Sequence, residues 1–326
     1  MKIDIIGAGS IGLLLAGRLI QSGTDVRLWC RSEEQCRALA DSGLSISYEN
    51  GQAPVVIPGD RFRSSPVSGF AEAYLQGPSD WTAITVKQNA VHHQLPEVLA
   101  RLRDSGMKLV CFQNGYGHLN FLRELLPKAS VWAAVTTEAA KRKTITEVIH
   151  TGKGEVYIGK DSSAQSFSAD NRLEEDNAPV ITLIEQLTSA GFSAFVSNDM
   201  DTMIYRKLLI NAVINPLTAI WRIQNGELLA SEERIQFMRE LYMEATGVYE
   251  ACGISYEASA WESIVTVCRA TSGNISSMLA DVLSLRATEI RWINGSIVEM
   301  AERCGIEVPL HRLVCRLVEG MLVGER

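Results

Sequence analysis

"KIDIIGAGSIGLLLAGRLIQSG", residues 2–23, decides the fold. A short apolar strand over residues 2–6 runs into Gly7, Gly9 and Gly12, spaced GxGxxG. An apolar helical run follows to Leu19 or Ile20, with Gly23 as its stop. A second strand, "DVRLWC", covers residues 25–30. This strand–turn–helix–strand context is what a dinucleotide fingerprint requires, since isolated glycines also mark ordinary turns. Gly7 permits the tight turn, Gly9 lets the backbone approach a pyrophosphate, and Gly12 lets the helix pack close to the strand. The loop Gly7, Ala8, Gly9, Ser10, Ile11 and Gly12 would then seat the pyrophosphate at the positive end of the helix.

The end of the second strand indicates which cofactor. NAD enzymes usually place Asp or Glu there, against the ribose hydroxyls. Here the strand ends in Cys30 and Arg31 follows. A guanidinium suits a 2′-phosphate, so NADPH is expected; the competing reading is a solvated loop arginine. Glu33 and Glu34 come late for ribose binding and fit the first turn of the next helix, where the dipole favours them. Two further strands, "WTAITV" (81–86) and "KLVCF" (108–112), end in Lys87-Gln88 and Gln113-Asn114-Gly115. Ligands of open parallel sheets bind at the carboxyl ends of strands. Lys87 is therefore a candidate for cofactor phosphate or ribose, and Asn114 for nicotinamide or substrate. The plain alternatives are a surface lysine and a turn asparagine. "VWAAVTTEAAK", "GEVYIGK" and the helix and strand of "VITLIEQLTSAGFSAFVSND" complete enough alternation for a doubly wound, Rossmann-like sheet over residues 1–198.

From residue 199 to 326 the strand signals fade and apolar positions recur at helical spacing, which predicts an all-helical C-terminal domain for the substrate. "MLADVLSLRATEIRWINGSIVEMAERCG" (278–305) reads as one helix capped at Gly305. "RKLLINAVINPLTAI" (206–220) reads as a buried helix, yet carries Lys207, Asn211 and Asn215. Steps of four keep the three on one face, with a drift of about 80° over the row. Such a row is costly to bury unpartnered, so it either finds partners in the fold or lines a polar cleft. Pro216 removes the helical hydrogen bond to the Ala212 carbonyl. That change either turns Asn215 and the freed carbonyl toward a ligand or is only a kink in a packed helix. In "NISSML" (274–279), Asn274, Ser276 or Ser277 caps a helix start, and a serine there could also seat a carboxylate. Glu289, between Arg286 and Arg291, reads by itself as a surface ion-pair residue.

These residues together resemble the ketopantoate reductase (2-dehydropantoate 2-reductase) family over nearly the whole chain. The resemblance rests on the N-terminal GxGxxG, "VK" and "QNG" at two strand ends, and "RKLLINAVINPLTAI". It continues through "NGEL" (225–228) and "NISSMLADVLSLRATEIRWINGSIV" (274–298). The two long C-terminal motifs are far more specific than the glycines. The main departure is the polar stretch 160–178, which reads as a surface insertion or mobile loop.

The resemblance implies NADPH-dependent reduction of 2-dehydropantoate to (R)-pantoate, a step toward pantothenate and coenzyme A. It implies Lys207 as the general acid, Asn211, Asn215 and Ser277 as substrate contacts, and Asn114 and Lys87 as cofactor and active-site contacts. It implies Glu289 as a glutamate that touches the cofactor or orders the site. The chemistry agrees: hydride arriving at a ketone leaves an alkoxide, which needs a proton. Partial desolvation would lower a lysine toward the working range. The row is then best read as the substrate wall of an interdomain cleft. Two rivals remain: a reductase of the same architecture acting on another 2-oxo acid, and an NADPH-binding regulator without catalysis. The second has no need of the acid.

Composition sets outer bounds. The 326 residues suffice for two domains, and 46% apolar with 21% charged residues is a globular profile. A net charge of −7 gives no support to a nucleic-acid partner. No apolar run reaches membrane-span length, and "MKIDIIGAGS" lacks the h-region of a signal peptide, so a cytoplasmic protein is expected. Seven scattered cysteines without a CxxC pair argue against a metal cage or a disulfide framework, and for a reducing compartment. The histidines show no ligand spacing, and no metal is expected. Oligomeric state is not readable, and a homodimer stays open.

Overall fold

The computed structural model describes residues 1–162 and 178–321. The polar stretch read above as a surface loop lies almost wholly outside the described residues. The chain divides into two compact units, one of Met1–Gln113 with His118–Met200, the other of Asn114–Gly117 with the residues from Asp201 onward.

The first unit contains β1 (Lys2–Ile6), β2 (Asp25–Cys30), β3 (Leu44–Tyr48), β4 (Val55–Ile57), β5 (Arg63–Pro66) and β6 (Trp81–Ile84). It continues with β7 (Lys108–Cys111), β8 (Ser130–Thr136), β9 (Ala139–Arg142), β10 (Glu147–Gly152), β11 (Glu155–Gly159) and β12 (Ser193–Val196). Eight of them form a sheet in the order β12-β11-β8-β7-β6-β1-β2-β5. Six strands run parallel; β11 pairs antiparallel to β8 and parallel to β12, so these two run the other way. The chain leaves β1 toward β2 on one side and returns to β6 on the other. That reversal is the topological switch point at which open α/β sheets bind ligands. Strands covered on both faces read as apolar runs, and Ile3, Ile5, Ile6, Val26 and Leu28 are buried accordingly.

A second sheet, ordered β4-β3-β10-β9, was not legible in the sequence. "VWAAVTTEAAK" was expected to be one strand and supplies two, β8 and β9, in different sheets. The Thr136 hydroxyl accepts from the Glu138 amide (3.0 Å), which turns the chain between them. The small sheet packs on the helix Ser10–Gln21. A Cβ on Gly17 would meet Ile46 Cδ1 at 2.6 Å and Leu44 Cδ2 at 2.8 Å, so only glycine allows this approach without a shift.

The second unit is helical, with Met200–Trp221, Glu232–Ala251, Ala260–Ala270, Ser277–Leu283, Ile290–Cys304 and Pro309–Gly320. Val213, Leu217, Met238, Leu241, Val248, Ile264, Ile293, Ile297 and Val314 fill its core. The single helix expected over 278–305 is broken. Ser277–Leu283 stops where Leu285 enters the left-handed region (φ 51°), and the Arg286 amide closes back onto the Asp281 carbonyl at 2.9 Å. A new helix starts with Glu289 at its N-cap. Gly305 caps that helix in the left-handed conformation (φ 70°), as its position suggested. The cysteines depart from expectation at one place. Cys252 and Cys304, at the ends of Glu232–Ala251 and Ile290–Cys304, form a disulfide with a Cα–Cα distance of 6.2 Å. A separation of 52 residues gave no motif by which to foresee it.

Candidate functional site

In the first unit the glycine loop has the geometry expected of it. Gly7 sits at φ 115°, and a Cβ there would lie 2.8 Å from the Val86 nitrogen. A Cβ on Gly12 would fall 1.8 Å from the Gly7 carbonyl oxygen, so this glycine fixes the approach of helix to strand. A Cβ on Gly9 would face open space. The helix Ser10–Gln21 begins with no side-chain cap and no acidic residue in its first turn. Its leading amides and positive dipole end are thus free for an anion, and the fit to a pyrophosphate is good.

Sequence reading missed the residues that hold this loop. The Thr85 hydroxyl lies 2.8 Å from the Gly7 carbonyl and 3.1 Å from that of Ile6. Gln35 Nε2 donates to the Ala8 carbonyl at 2.8 Å and to that of Ile145 at 2.7 Å. Gln113 Nε2 does the same for Ile84 (2.8 Å) and Val86 (2.7 Å), bracing the strand end before Lys87. Gln35 stands in no motif, and Gln113, though part of "QNG", carries no sign in the sequence of which carbonyls it holds. Ser10 Oγ accepts from the Arg142 amide at 3.0 Å. Arg31 follows β2 directly, exposed and without an ion-pair or hydrogen-bond partner among the described residues. Ser32 caps the helix Glu33–Ser42, whose first turn holds Glu33 and Glu34. Lys87 stands exposed at the N-cap of Gln88–His93.

Lys207, Asn211, Asn215, Ser277, Glu289 and Asn114 all fall in the second unit. Lys207, Asn211 and Asn215 follow one another along Met200–Trp221. Lys207 is half-buried, and desolvation lowers its ammonium from the usual 10.5 to about 8, with the Glu289 carboxylate acting in the opposite sense. Asn215 is buried and Asn211 half-buried. Neither side-chain amide has a hydrogen-bond partner among the described residues. The two amides therefore belong to no closed hydrogen-bond network among the described residues.

Ser276, not Asn274 or Ser277, is the cap of Ser277–Leu283: its Oγ accepts from the Leu279 amide at 3.1 Å and lies 2.7 Å from Thr218 Oγ1. Ser277 is left exposed with its hydroxyl unused among the described residues. Glu289 is not the surface residue its neighbours suggested. It is buried, while Arg286 reaches Asp281 at 3.5 Å instead. Asn114 opens a turn with Gly115 and Gly117 at φ 83° and 101°. That turn is tied down by Tyr116, whose amide donates to the Trp292 carbonyl (3.1 Å) and whose ring stacks on Tyr205 at 5.5 Å. The carbonyl freed by Pro216 does not face outward, because Asn294 Nδ2 donates to Ala212 O at 2.8 Å. In chemical terms the second unit offers a proton donor tuned near neutrality, two uncharged amides and a free hydroxyl.

The family model described as ketopantoate reductase PanE/ApbA matches residues 3–163, and the model of its C-terminal part matches residues 199–322. A 2-dehydropantoate 2-reductase of Bacillus subtilis is 32% identical over 308 residues, covering 94% of this chain and 93% of the relative. One from Archaeoglobus fulgidus is 30% identical over 325 residues, covering 99% of this chain and 98% of its own. The crystal structure of a PanE/ApbA family ketopantoate reductase from Ralstonia eutropha superposes with a TM-score of 0.82 at 24% identity, covering 98% of both chains.

Proposed function

Because the chain belongs to the ketopantoate reductase family, we propose that it reduces 2-dehydropantoate to (R)-pantoate with NADPH, on the way to pantothenate and coenzyme A. The observation that carries the reading is the row itself: a lysine lowered to about 8 and two unpartnered amides along one helix. An acid for a nascent alkoxide needs a pKa near the working pH, and burial brings Lys207 there.

NADPH, when bound, supplies the hydride; the chain's residues do the rest. Gly7, Ala8, Gly9, Ser10, Ile11 and Gly12 offer backbone amides to the pyrophosphate, and Arg31 pairs with the 2′-phosphate. Lys87 meets cofactor phosphate or ribose. Asn114 fixes nicotinamide or substrate. Asn211 and Asn215 hold the substrate's carbonyl and hydroxyl oxygens without adding charge, and the Ser277 hydroxyl takes its carboxylate. As the ketone carbon gains hydride, Lys207 Nζ gives its proton to the alkoxide oxygen and is left a neutral amine, reprotonated from water. Glu289 touches the cofactor or orders the site; its pull on the Lys207 proton supports the ordering role.

Among the described residues no helix is long and apolar enough to cross a membrane. We place the protein in the cytoplasm, where the Cys252–Cys304 pair would stand as two thiols until oxidised. A homodimer is compatible with this reading.

The test is NADPH oxidation, followed by absorbance, with 2-dehydropantoate, and with NADH in parallel. Turnover with NADPH preferred, and that preference lost in Arg31→Asp, upholds the assignment. Turnover only with other 2-oxo acids would move the substrate. NADPH binding without turnover across such a panel would leave a regulator.

A further inference from the structure

Pro216 has no amide hydrogen, so the Ala212 carbonyl, four residues back, loses its helical donor. Ala212 lies between Asn211 and Asn215 in the chain and is itself fully buried. The carbonyl is served by a side chain from another helix. Asn294, in Ile290–Cys304, is fully buried and donates Nδ2 to Ala212 O at 2.8 Å.

The direction of that bond is set by a relay. His311 is fully buried, and its Nε2 lies 3.0 Å from the Leu241 carbonyl, which can only accept. Nε2 therefore carries the hydrogen. Burial lowers the imidazolium to about 4, so the ring is neutral and Nδ1 is an acceptor. Asn294 must then turn its NH2 toward Nδ1, at 3.1 Å, and its second hydrogen falls to Ala212 O. Asn294 Oδ1 is left buried with no partner among the described residues. An unsatisfied buried acceptor costs stability, so an apolar side chain of similar size would suit the core better.

We propose that Asn294, oriented by His311, is a positioning residue for substrate binding: it holds the carbonyl that Pro216 orphans and so fixes how Asn211 and Asn215 are presented. This inference rests on the substrate roles proposed above for those two asparagines.

The experiment uses the full-length protein. Asn294→Leu should stay folded by circular dichroism. It should raise KM for 2-dehydropantoate by about tenfold while kcat and the KM for NADPH change less than about threefold. His311→Phe, which removes the acceptor that aims the amide, should move KM the same way by about threefold. Pro216→Ala restores a helical donor to Ala212 O, so adding Asn294→Leu to it should raise KM less than about twofold further. A merely structural role would lower the active fraction, and with it kcat, and leave KM unchanged; that result overturns the proposal, as does full additivity in the double variant. Amide hydrogen exchange over residues 208–217 reads the strut without substrate. It should quicken about tenfold in Asn294→Leu and recover in the double variant. If the wild type does not turn over 2-dehydropantoate, the proposed reaction has failed, and exchange decides: an unchanged rate overturns the strut, the expected pattern upholds it.

Discussion

Two polar groups buried among apolar neighbours, Asp4 in β1 and Asn215 in Met200–Trp221, behave in opposite ways. Asp4 is fully buried and saturated. It accepts from Arg27 Nε at 2.6 Å, Arg27 Nη2 at 2.5 Å and Trp29 Nε1 at 2.8 Å, and Arg27 Nη1 reaches the Ala73 carbonyl at 3.2 Å. Asn215, with Asn211 one turn away, has no side-chain partner among the described residues. A saturated ionic cluster keeps its shape whatever binds elsewhere. Asn211 and Asn215 keep donors and acceptors unused among the described residues, at a cost in stability, as the substrate roles proposed for them require. Burial does not distinguish Asp4 from Asn215, since both are buried; saturation does.

The largest effect is expected from Lys207→Ala, one helical turn before Asn211. Turnover should fall about 10²- to 10⁴-fold while NADPH affinity, read by fluorescence titration, changes only a few-fold. Survival of turnover within a few-fold would remove Lys207 as the acid. The contrast itself is sharpened by pairing Asp4→Ala with Asn215→Ala in urea unfolding. Asp4→Ala strands a buried guanidinium and should cost about 3–5 kcal/mol. Asn215→Ala breaks no side-chain hydrogen bond and should cost under about 1 kcal/mol, while raising KM for the substrate. Equal losses would mean that the row has structural partners after all.

The smallest effect is in pH dependence. The acid must carry its proton, so kcat/KM should fall above about 8, the pKa of Lys207. Glu289 raises that pKa, so Glu289→Gln should move the falling limb to lower pH. A limb that stays put would show that the carboxylate does not act on the ammonium.

The glycine loop and the polar row could be read from the chain because each depends on local spacing: GxGxxG between strand and helix, and four-residue steps along a helix. The small sheet could not, since β3 pairs with β10 a hundred residues away and the short strands lack a clear alternation. Glu289 was misjudged on its own neighbours. Its arginines are adjacent in sequence, but a helix break at Leu285 changes which residues it meets. Thr85, Gln35, Asn294 and His311 each make two hydrogen bonds to groups distant in sequence, and bonds of that kind leave no periodic trace.

The Cys252–Cys304 bridge alters the covalent connectivity of the helical unit. Ser276, Ser277, Glu289 and Asn294 all lie in the stretch it encloses. With the bridge closed, that stretch is a ring joined to the rest of the chain at two points. A protease that cuts once inside the ring opens it but releases no fragment: the nicked protein keeps its mass on a denaturing gel and separates into two pieces only when a reductant is added.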